Sequence, residues 1–257
     1  MTDTHARLVQ QQFGPSAADY VASSGHAGGR DLETLVGWGR ALRPRRVLDV
    51  ATGGGHTALA FSAFAEHVVA YDLTAPMLEA ARQFARTRGA ANVAFAAGDV
   101  EALPFHQGFD VVTCRIAAHH FANVGAAVRQ MAQALRPGGS LLLQDILGHD
   151  DRAAAAFILE VEKRRDPSHV RSYRAVEWKA LLRGAGLTSM DETVVSKIRP
   201  WEEWTGRMRM TAQARSDLDR FVREAPAACR EAFVFRLTAD GVESFTDRML
   251  LVRADRD

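Results

Sequence analysis

The segment Asp49-Val-Ala-Thr-Gly-Gly-Gly-His56 places a carboxylate, a hydroxyl and three consecutive glycines between a short β-branched run and the start of a helical pattern. Glycines at such a junction let the backbone turn sharply and approach a ligand with no Cβ in the way. The N–H groups of the loop and of the helix start can then face an anionic or polar ligand group. A tight strand-to-helix turn with no ligand would use the same glycines. Gly53-x-Gly55-x-x-Ala58 satisfies the loose dinucleotide fingerprint, and Asp72 lies 17 residues beyond Gly55 at the end of the next apolar run. A carboxylate there can accept hydrogen bonds from both hydroxyls of a ribose. On these residues a nicotinamide cofactor and an adenosyl cofactor are hard to separate.

A third carboxylate separates them better. Gly98-Asp99-Val100 directly follows a third apolar run, and Glu101-Ala-Leu-Pro-Phe105 comes next. A carboxylate at that point can accept from the exocyclic amine of adenine. The full set is an acidic residue before the glycine loop, one after each of the next two runs, and then Leu135-Arg-Pro-Gly-Gly139.

The elements that must hold these groups alternate in type. Arg46–Ala51, His67–Asp72, Asn92–Ala97, Phe109–Cys114 and Ser140–Ile146 read as strands, and His56–Phe64 as a helix. Thr74 stands where it can cap the helix after the second strand, Pro76 falls in its first turn, and Gly89 ends it. Val124, Val128, Met131 and Leu135 form one helical stripe that Pro137-Gly138-Gly139 stops. Near-continuously apolar strands separated by helices imply a parallel sheet covered on both faces. Further on, helices are expected over Asp151–Arg164, Ala175–Arg183 and Trp201–Glu231, and strands over Leu187–Ile198 and Ser244–Arg253.

Together these residues resemble a class I S-adenosylmethionine-dependent methyltransferase of the ubiquinone/menaquinone-biosynthesis-like (type 11) group. The matching segments are VLDVATGGGHTA, VVAYDLTAPML, FAAGDVEALPF, FDVVTCRIAAHHF and ALRPGGSLLL, spanning about residues 46 to 147. One departure is visible: the family loop is often D-x-G-x-G-x-G, and its first glycine is Ala51 here. The resemblance implies an α/β, Rossmann-like seven-stranded sheet, mostly parallel with an antiparallel last strand and helices on both faces. It implies methyl transfer from S-adenosyl-L-methionine, with S-adenosyl-L-homocysteine as product.

It also implies roles. Ala51, Thr52, Gly53 and Gly55 would pass the methionyl part of the cofactor, with Asp49 orienting beneath them. Asp72 would bind the ribose, with Leu73 against the adenine. Gly98 and Asp99 would reach the adenine amine, with Val100 beside the ring. Arg115 would sit near the methionyl end. The arm Phe13–Gly29 would fold over the cofactor as a lid, with Tyr20 and His26 near it; an amphipathic helix packed on the sheet is the plainer reading.

On the acceptor side, His119 follows the fourth strand and has the chemistry of a general base. It adjoins His120, and two neighbouring histidines cannot both face one pocket. The RDPSHVR stretch offers His169 as a second candidate base. Its Arg165 and Arg171 are candidates to bind an anionic or phenolic acceptor through charge-assisted bonds, although a solvated loop is equally consistent with it. Trp201, Trp204, Met208 and Met210, with Arg207 and Arg209, read either as an adaptable cover over an apolar acceptor or as ordinary core and rim. Cys114 reads as a small buried residue.

The 257 residues are 47% hydrophobic and 25% charged, enough for a sizeable core. The chain reads as a single methyltransferase domain: an N-terminal helical arm over 1–45, a cofactor-binding core over 46–147, and a substrate-side half over 148–257 with a helical insertion at about 201–231. With 32 basic and 31 acidic residues the net charge is +1, which argues against a general polyanion binder. No added RNA-binding module is read in the sequence, so a small-molecule acceptor is expected rather than nucleic acid. Two cysteines are too few for a disulfide framework or a thiolate zinc site, and no metal is expected. The first residues lack a basic segment followed by an apolar run, and no stretch is long enough to span a membrane, so a cytoplasmic protein is expected. Oligomeric state is left open, a homodimer included. The competing readings are a nicotinamide-dependent oxidoreductase on a similar sheet, a module that binds the adenosyl cofactor without catalysis, and RNA methylation through the arginines near 164–174 and 199–215.

Overall fold

A computed structural model describes residues 3–23 and 27–257. Helices α1 (Asp3–Phe13), α2 (Ala17–Ala22) and α3 (Arg30–Leu42) form the arm. The core follows as β1 (Arg46–Val50), α4 (His56–Ser62), β2 (His67–Asp72), α5 (Ala75–Thr87), β3 (Val93–Ala97), β4 (Phe109–Arg115), α6 (Val124–Ala134) and β5 (Leu135–Ile146). The last part holds α7 (Arg152–Arg165), α8 (Ala175–Gly184), β6 (Leu187–Pro200), α9 (Trp201–Gly206), α10 (Ala212–Glu224), α11 (Ala227–Ala232), β7 (Arg236–Leu237) and β8 (Val242–Arg256).

The sheet order is β3-β2-β1-β4-β5-β8-β6, with β7 also paired to β8. β1 to β5 run parallel, and β8 inserts antiparallel between β5 and β6. The mostly parallel sheet with an antiparallel last strand is as expected, and the two-residue β7 adds an eighth strand. Side chains alternate between two cores. Leu48, Val50, Cys114, Leu141 and Leu143 pack on one face against α6 and α8. Val47, Val111 and Leu142 pack on the other against Leu35 and Phe61. Burial on both faces is why these strands read as apolar runs rather than alternating ones. Strand order reverses beside β1, so the carboxyl ends of β1, β2 and β4 open onto one crevice, where ligands bind in such sheets.

The expected helix over Trp201–Glu231 is three. Thr211 caps α10 by accepting from the Ala214 N–H, and Pro226, which has no N–H to continue a helix, precedes α11. These helices pack Trp201, Trp204, Leu218 and Val222 against Phe157 and Val161 of α7 and Phe245 of β8, in a third core. β5 pairs from Leu135 rather than Ser140, with an irregularity at Phe109/Val111 that absorbs the Pro-Gly-Gly turn. Among the described residues no helix is long and apolar enough to cross a membrane.

Candidate active site

The glycine loop leaves β1 through Ala51, Gly53 and Gly55, whose φ angles of 51°, 54° and 81° are all left-handed. Asp49 holds this turn from below. One oxygen accepts from the Thr52 hydroxyl (2.6 Å) and the Ala58 N–H (3.1 Å), and the other from the Thr113 hydroxyl (2.6 Å). One carboxylate thus joins the loop, α4 and β4. Burial raises its pKa to about 6, against the opposing pull of the Thr113 and Thr52 hydroxyls.

Asp72 closes the loop from the side. Its Oδ2 accepts from the Gly53 N–H and its Oδ1 from the Thr74 N–H, both at 2.8 Å. The Thr74 hydroxyl is directed to Asp72 rather than capping α5. Burial raises the Asp72 pKa, and the Gly53 and Thr74 N–H groups pull it back. The Thr74 hydroxyl and the Leu73 N–H add to the hold on this carboxylate.

Asp99 takes a different position. Its carboxylate caps the short turn Val100–Ala102 by accepting from the Glu101 N–H (2.9 Å), and it is not part of the cleft wall, whereas its neighbours Gly98 and Val100 are. A Cβ on Gly98 would lie 1.8 Å from the Tyr71 hydroxyl, so the Tyr71 ring requires glycine there.

Arg115, at the end of β4, is buried on the cleft wall. It donates from Nε to Gln144 (3.1 Å) and from a terminal nitrogen to Asp31 of α3 (3.0 Å). Asp31 also accepts from Gln144 (2.8 Å) and Lys197 (3.2 Å). Burial alone would raise the Asp31 pKa; Arg115 and then Lys197 outweigh it and hold the carboxyl down to about 2. Ile116 follows with φ 54°, a left-handed conformation that is an outlier for a β-branched residue and sits on the cleft wall.

The arm covers the cleft. Val9, Phe13 and Tyr20 line it. The Tyr20 carbonyl meets His56 Nε2 at 3.1 Å, Gln10 donates to the Leu73 carbonyl (3.0 Å), and His5 Nε2 meets the His120 carbonyl at 2.8 Å. From the opposite side α9 and its following turn grip α2: Tyr20 donates to Met208 Sδ (3.5 Å), Arg207 to Ser23 (3.3 Å) and Arg209 to Asp19 (2.9 Å). His26 lies outside the described residues.

Of the adjacent histidines, His120 lines the cleft and His119 turns away from it. Asp145 of β5 accepts from His119 twice, at the backbone N–H (2.8 Å) and at Nδ1 (2.6 Å). Burial disfavours the charged ring, and Asp145 more than offsets this, so the His119 pKa is raised. The His120 pKa is lowered by burial and by the neighbouring His119 charge, while its Nδ1 meets the Ser168 hydroxyl at 3.1 Å. His169 stacks on His119 with centroids 4.9 Å apart, and burial, then His119 and His120, drive its pKa far down. It lines a separate cavity, as does Arg171. Arg165 donates to the Trp204 carbonyl (2.9 Å) and lies over the Trp204 ring, and Arg171 pairs with Glu177.

The cleft holds about 950 Å³ of space, its open mouth included, and brings together Tyr20, Asp49, Ala51, Thr52, Gly53, Asp72, Leu73, Gly98, Val100 and Arg115. Gly55 caps α4 behind it, against Ala81. Sequence reasoning passed over Phe13, Asp31 and Asp145, and chose His119 over His120. Only the acidic first turn of α3 hinted at Asp31, and that reads equally as helix-dipole charge. Among the described residues no cluster of three His, Cys, Asp or Glu side chains is arranged to hold a metal ion.

A family described as a methyltransferase domain matches residues 47–139. The uncharacterized methyltransferase YcgJ of Bacillus subtilis (strain 168) is 33% identical over 243 residues, covering 94% of this chain and 96% of that protein. The ubiquinone biosynthesis O-methyltransferase of Xylella fastidiosa (strain M23) is 34% identical over 184 residues, 67% of this chain and 71% of that protein. The crystal structure of BH2331 from Bacillus halodurans C-125, a candidate methyltransferase, superposes with a TM-score of 0.85 at 37% identity, covering 89% of this chain and 99% of that one.

Proposed function

The chain belongs to the class I S-adenosylmethionine-dependent methyltransferase family, and from that membership we propose that it methylates a small-molecule acceptor by in-line transfer in the cleft at the tips of β1, β2 and β4. The observation that carries this reading is the convergence of Asp72, the left-handed glycine loop and Arg115 on one covered cleft.

The residues present fit S-adenosylmethionine. Asp72, a carboxylate at the tip of β2 on the cleft wall, suits a ribose diol. Leu73, Val100 and Phe121 offer apolar surface to a purine. A Cβ on Gly53 would meet nothing within 4 Å, so the loop there is open toward the cleft. Arg115 supplies positive charge for a carboxylate. When bound, the cofactor supplies an already activated methyl group on a sulfonium.

The protein's own work is then orientation and exclusion of water. Orientation of two reactants contributes up to roughly 7–11 kcal/mol in favourable cases. Asp49 fixes the loop against β4, and α1 and α2 cover the cleft, with Arg207 and Arg209 holding α2 and its C-terminal end. A covered cleft favours a small acceptor over a polymer. For an acceptor that carries a proton at working pH, His120 is the uncharged imidazole on the wall, and the Asp145–His119 pair behind it sets the local charge.

Calorimetry tests the reading directly. S-adenosylmethionine is expected to bind and NAD not to; a preference for NAD overturns the proposal.

A further inference from the structure

α7 ends where Pro167, which has no N–H to continue a helix, follows the cap residue Asp166. The chain then turns back on that carboxylate. Asp166 Oδ1 accepts from the Ser168 N–H (2.9 Å) and from the Ser168 hydroxyl (2.5 Å). The Val170 N–H donates to the His119 carbonyl (2.8 Å), which pins this stretch to the adjacent histidines. The Ser168 hydroxyl oxygen thereby meets His120 Nδ1 at 3.1 Å.

Counting protons fixes the tautomer of that ring. A serine hydroxyl has one hydrogen, and a carboxylate has none to give. The Ser168 hydrogen is spent on Asp166, so Ser168 Oγ can only accept from His120 Nδ1. Burial and the His119 charge lower the His120 pKa to about 4, so the ring is neutral near pH 7 and carries one proton. With that proton on Nδ1, Nε2 keeps a bare lone pair. Asp166 Oδ2 lies 3.8 Å from Nε2, beyond hydrogen-bond reach but close enough to stabilise a cation formed there.

Of these three side chains, His120 is the one that can meet a ligand. It is 12% exposed and lines the cleft, with the Phe13 ring edge-on at 5.0 Å. Its Nε2 is not among the buried partnerless atoms of the described residues, so it is open to a small group. Asp166 and Ser168 are 1% and 0% exposed and act only through the ring.

We infer that Asp166 and Ser168 are positioning residues for methyl transfer: they hold the His120 proton on Nδ1 and so present Nε2 to the acceptor as the proton-accepting atom. The inference rests on the methyltransferase reading of the cleft. It gives the acceptor class as a neutral hydroxyl, thiol or amine, and it makes the RDPSHVR stretch serve the reaction through its Asp and Ser. The acceptor lone pair forms the new bond to the methyl carbon while the carbon–sulfur pair returns to sulfur, and the acceptor proton passes to Nε2. The products are the methylated acceptor, S-adenosylhomocysteine and an imidazolium that then gives its proton to water. An acceptor already bonding to a methyl group is strongly acidic, so a weakly basic imidazole suffices.

The test uses the full chain, labelled with ¹⁵N-histidine and saturated with S-adenosylhomocysteine near pH 7. Long-range ¹H–¹⁵N correlation tells a protonated ring nitrogen from a bare one, and His120→Gln assigns the signals. His120 is expected to show a protonated Nδ1 and a bare Nε2, and added phenol to shift the Nε2 signal saturably. In Ser168→Ala, and in Asp166→Ala, where the Ser168 hydrogen is released to donate to Nδ1, the form protonated on Nε2 is expected to become the major one. Asp166→Asn, which keeps the acceptor oxygen, is expected to retain the wild-type tautomer, with S-adenosylhomocysteine affinity within twofold in all three variants. Should the alanine variants fail to fold, the wild-type tautomer and the phenol shift decide. A wild-type proton on Nε2, alanine variants that keep the wild-type tautomer, or an Nε2 signal that phenol does not move overturns the positioning role and leaves the methyltransferase reading standing. Failure of S-adenosylhomocysteine to bind the unaltered protein overturns that reading and the inference with it.

Discussion

Asp72 Oδ2 accepts the Gly53 N–H at 2.8 Å, so the carboxylate at the tip of β2 fixes the glycine loop that leaves β1. The side chain proposed to bind a ribose therefore also shapes the loop beside it. Asp72→Ala removes the partner of both the Gly53 and Thr74 N–H groups, a loss of roughly 1–3 kcal/mol of stability if water does not replace it. Cofactor binding is expected to fall below detection by calorimetry, whereas His119→Ala leaves it near normal. The reverse pair of outcomes would show the site to be misassigned.

Ala51, on the cleft wall, tests the backbone conformation of the loop. Its φ of 51° is one that L residues adopt at a cost of roughly 1–2 kcal/mol, and glycine at almost none. Glycine also loses more chain entropy on folding, by roughly 0.4–1 kcal/mol. Ala51→Gly is therefore expected to leave stability unchanged or raise it by up to about 1 kcal/mol, where an Ala→Gly change inside α5, at Ala81, costs about 1 kcal/mol or more. Urea unfolding of the two variants decides; equal losses at both positions would remove the argument from backbone conformation.

The Asp145–His119 pair gives a pH signature. The folded-state pKa of His119 is raised above its ordinary value of 6.5. The stability it contributes is therefore fully present below about pH 6.5 and is lost as pH rises through the raised value. In Asp145→Asn burial remains and the charge is gone, so the His119 pKa should drop below 6.5. The stability gap between the two proteins, followed by thermal unfolding, should narrow from pH 6 to pH 9. A ¹H–¹³C titration of the His119 ring supplies the pKa itself, and an unchanged value in the variant would sink the assignment.

The lid offers a steric test. A Cβ on Gly54 would fall 3.1 Å from the Val21 nitrogen and 3.2 Å from the Tyr20 carbonyl, both backbone atoms of α2 that cannot swing aside as a side chain can. Gly54→Ala is therefore expected to displace α2, weaken cofactor binding severalfold and speed proteolysis within residues 14–23, with the unfolding midpoint of the sheet little changed. Wild-type affinity in that variant would mean that α2 does not sit on the loop in solution.

β1 to β5 were legible because a sheet buried on both faces writes apolar runs into the sequence, and the turns between them carry Gly, Pro and Asp for conformational reasons. Asp72 was legible from its place at a strand end. The facing of His119 and His120 was not, because it is decided by Asp145, 26 residues later on a neighbouring strand. The breaks at Thr211 and Pro226 lie inside one amphipathic stretch, where short helices and a long one share the same periodicity. β7, with two residues, is too short to leave a pattern.

Asp31, Arg115 and Lys197 come from the arm helix α3, the cofactor-side strand β4 and the substrate-side strand β6, and meet at one buried carboxylate. The folded-state pKa of Asp31 is lowered from 3.8 to about 2, so its contribution is present above about pH 3.8 and disappears as pH falls through about 2. Asp31→Asn leaves the Arg115 and Lys197 charges facing each other with no counter-ion, and breaking a buried pair in this way costs roughly 3–5 kcal/mol. Removing the second cation as well should relieve part of that loss, so Asp31→Asn/Lys197→Met is expected to be more stable than Asp31→Asn alone, a coupling that independent sites do not show. Arg115, no longer held by α3, should bind the cofactor less tightly in both variants. Chemical unfolding of the four proteins of this cycle, with S-adenosylhomocysteine affinity measured on each, checks the stability and the binding parts separately. Additive losses would show that the three charges do not act as one network, and unchanged affinity would show that Arg115 needs no support from the arm.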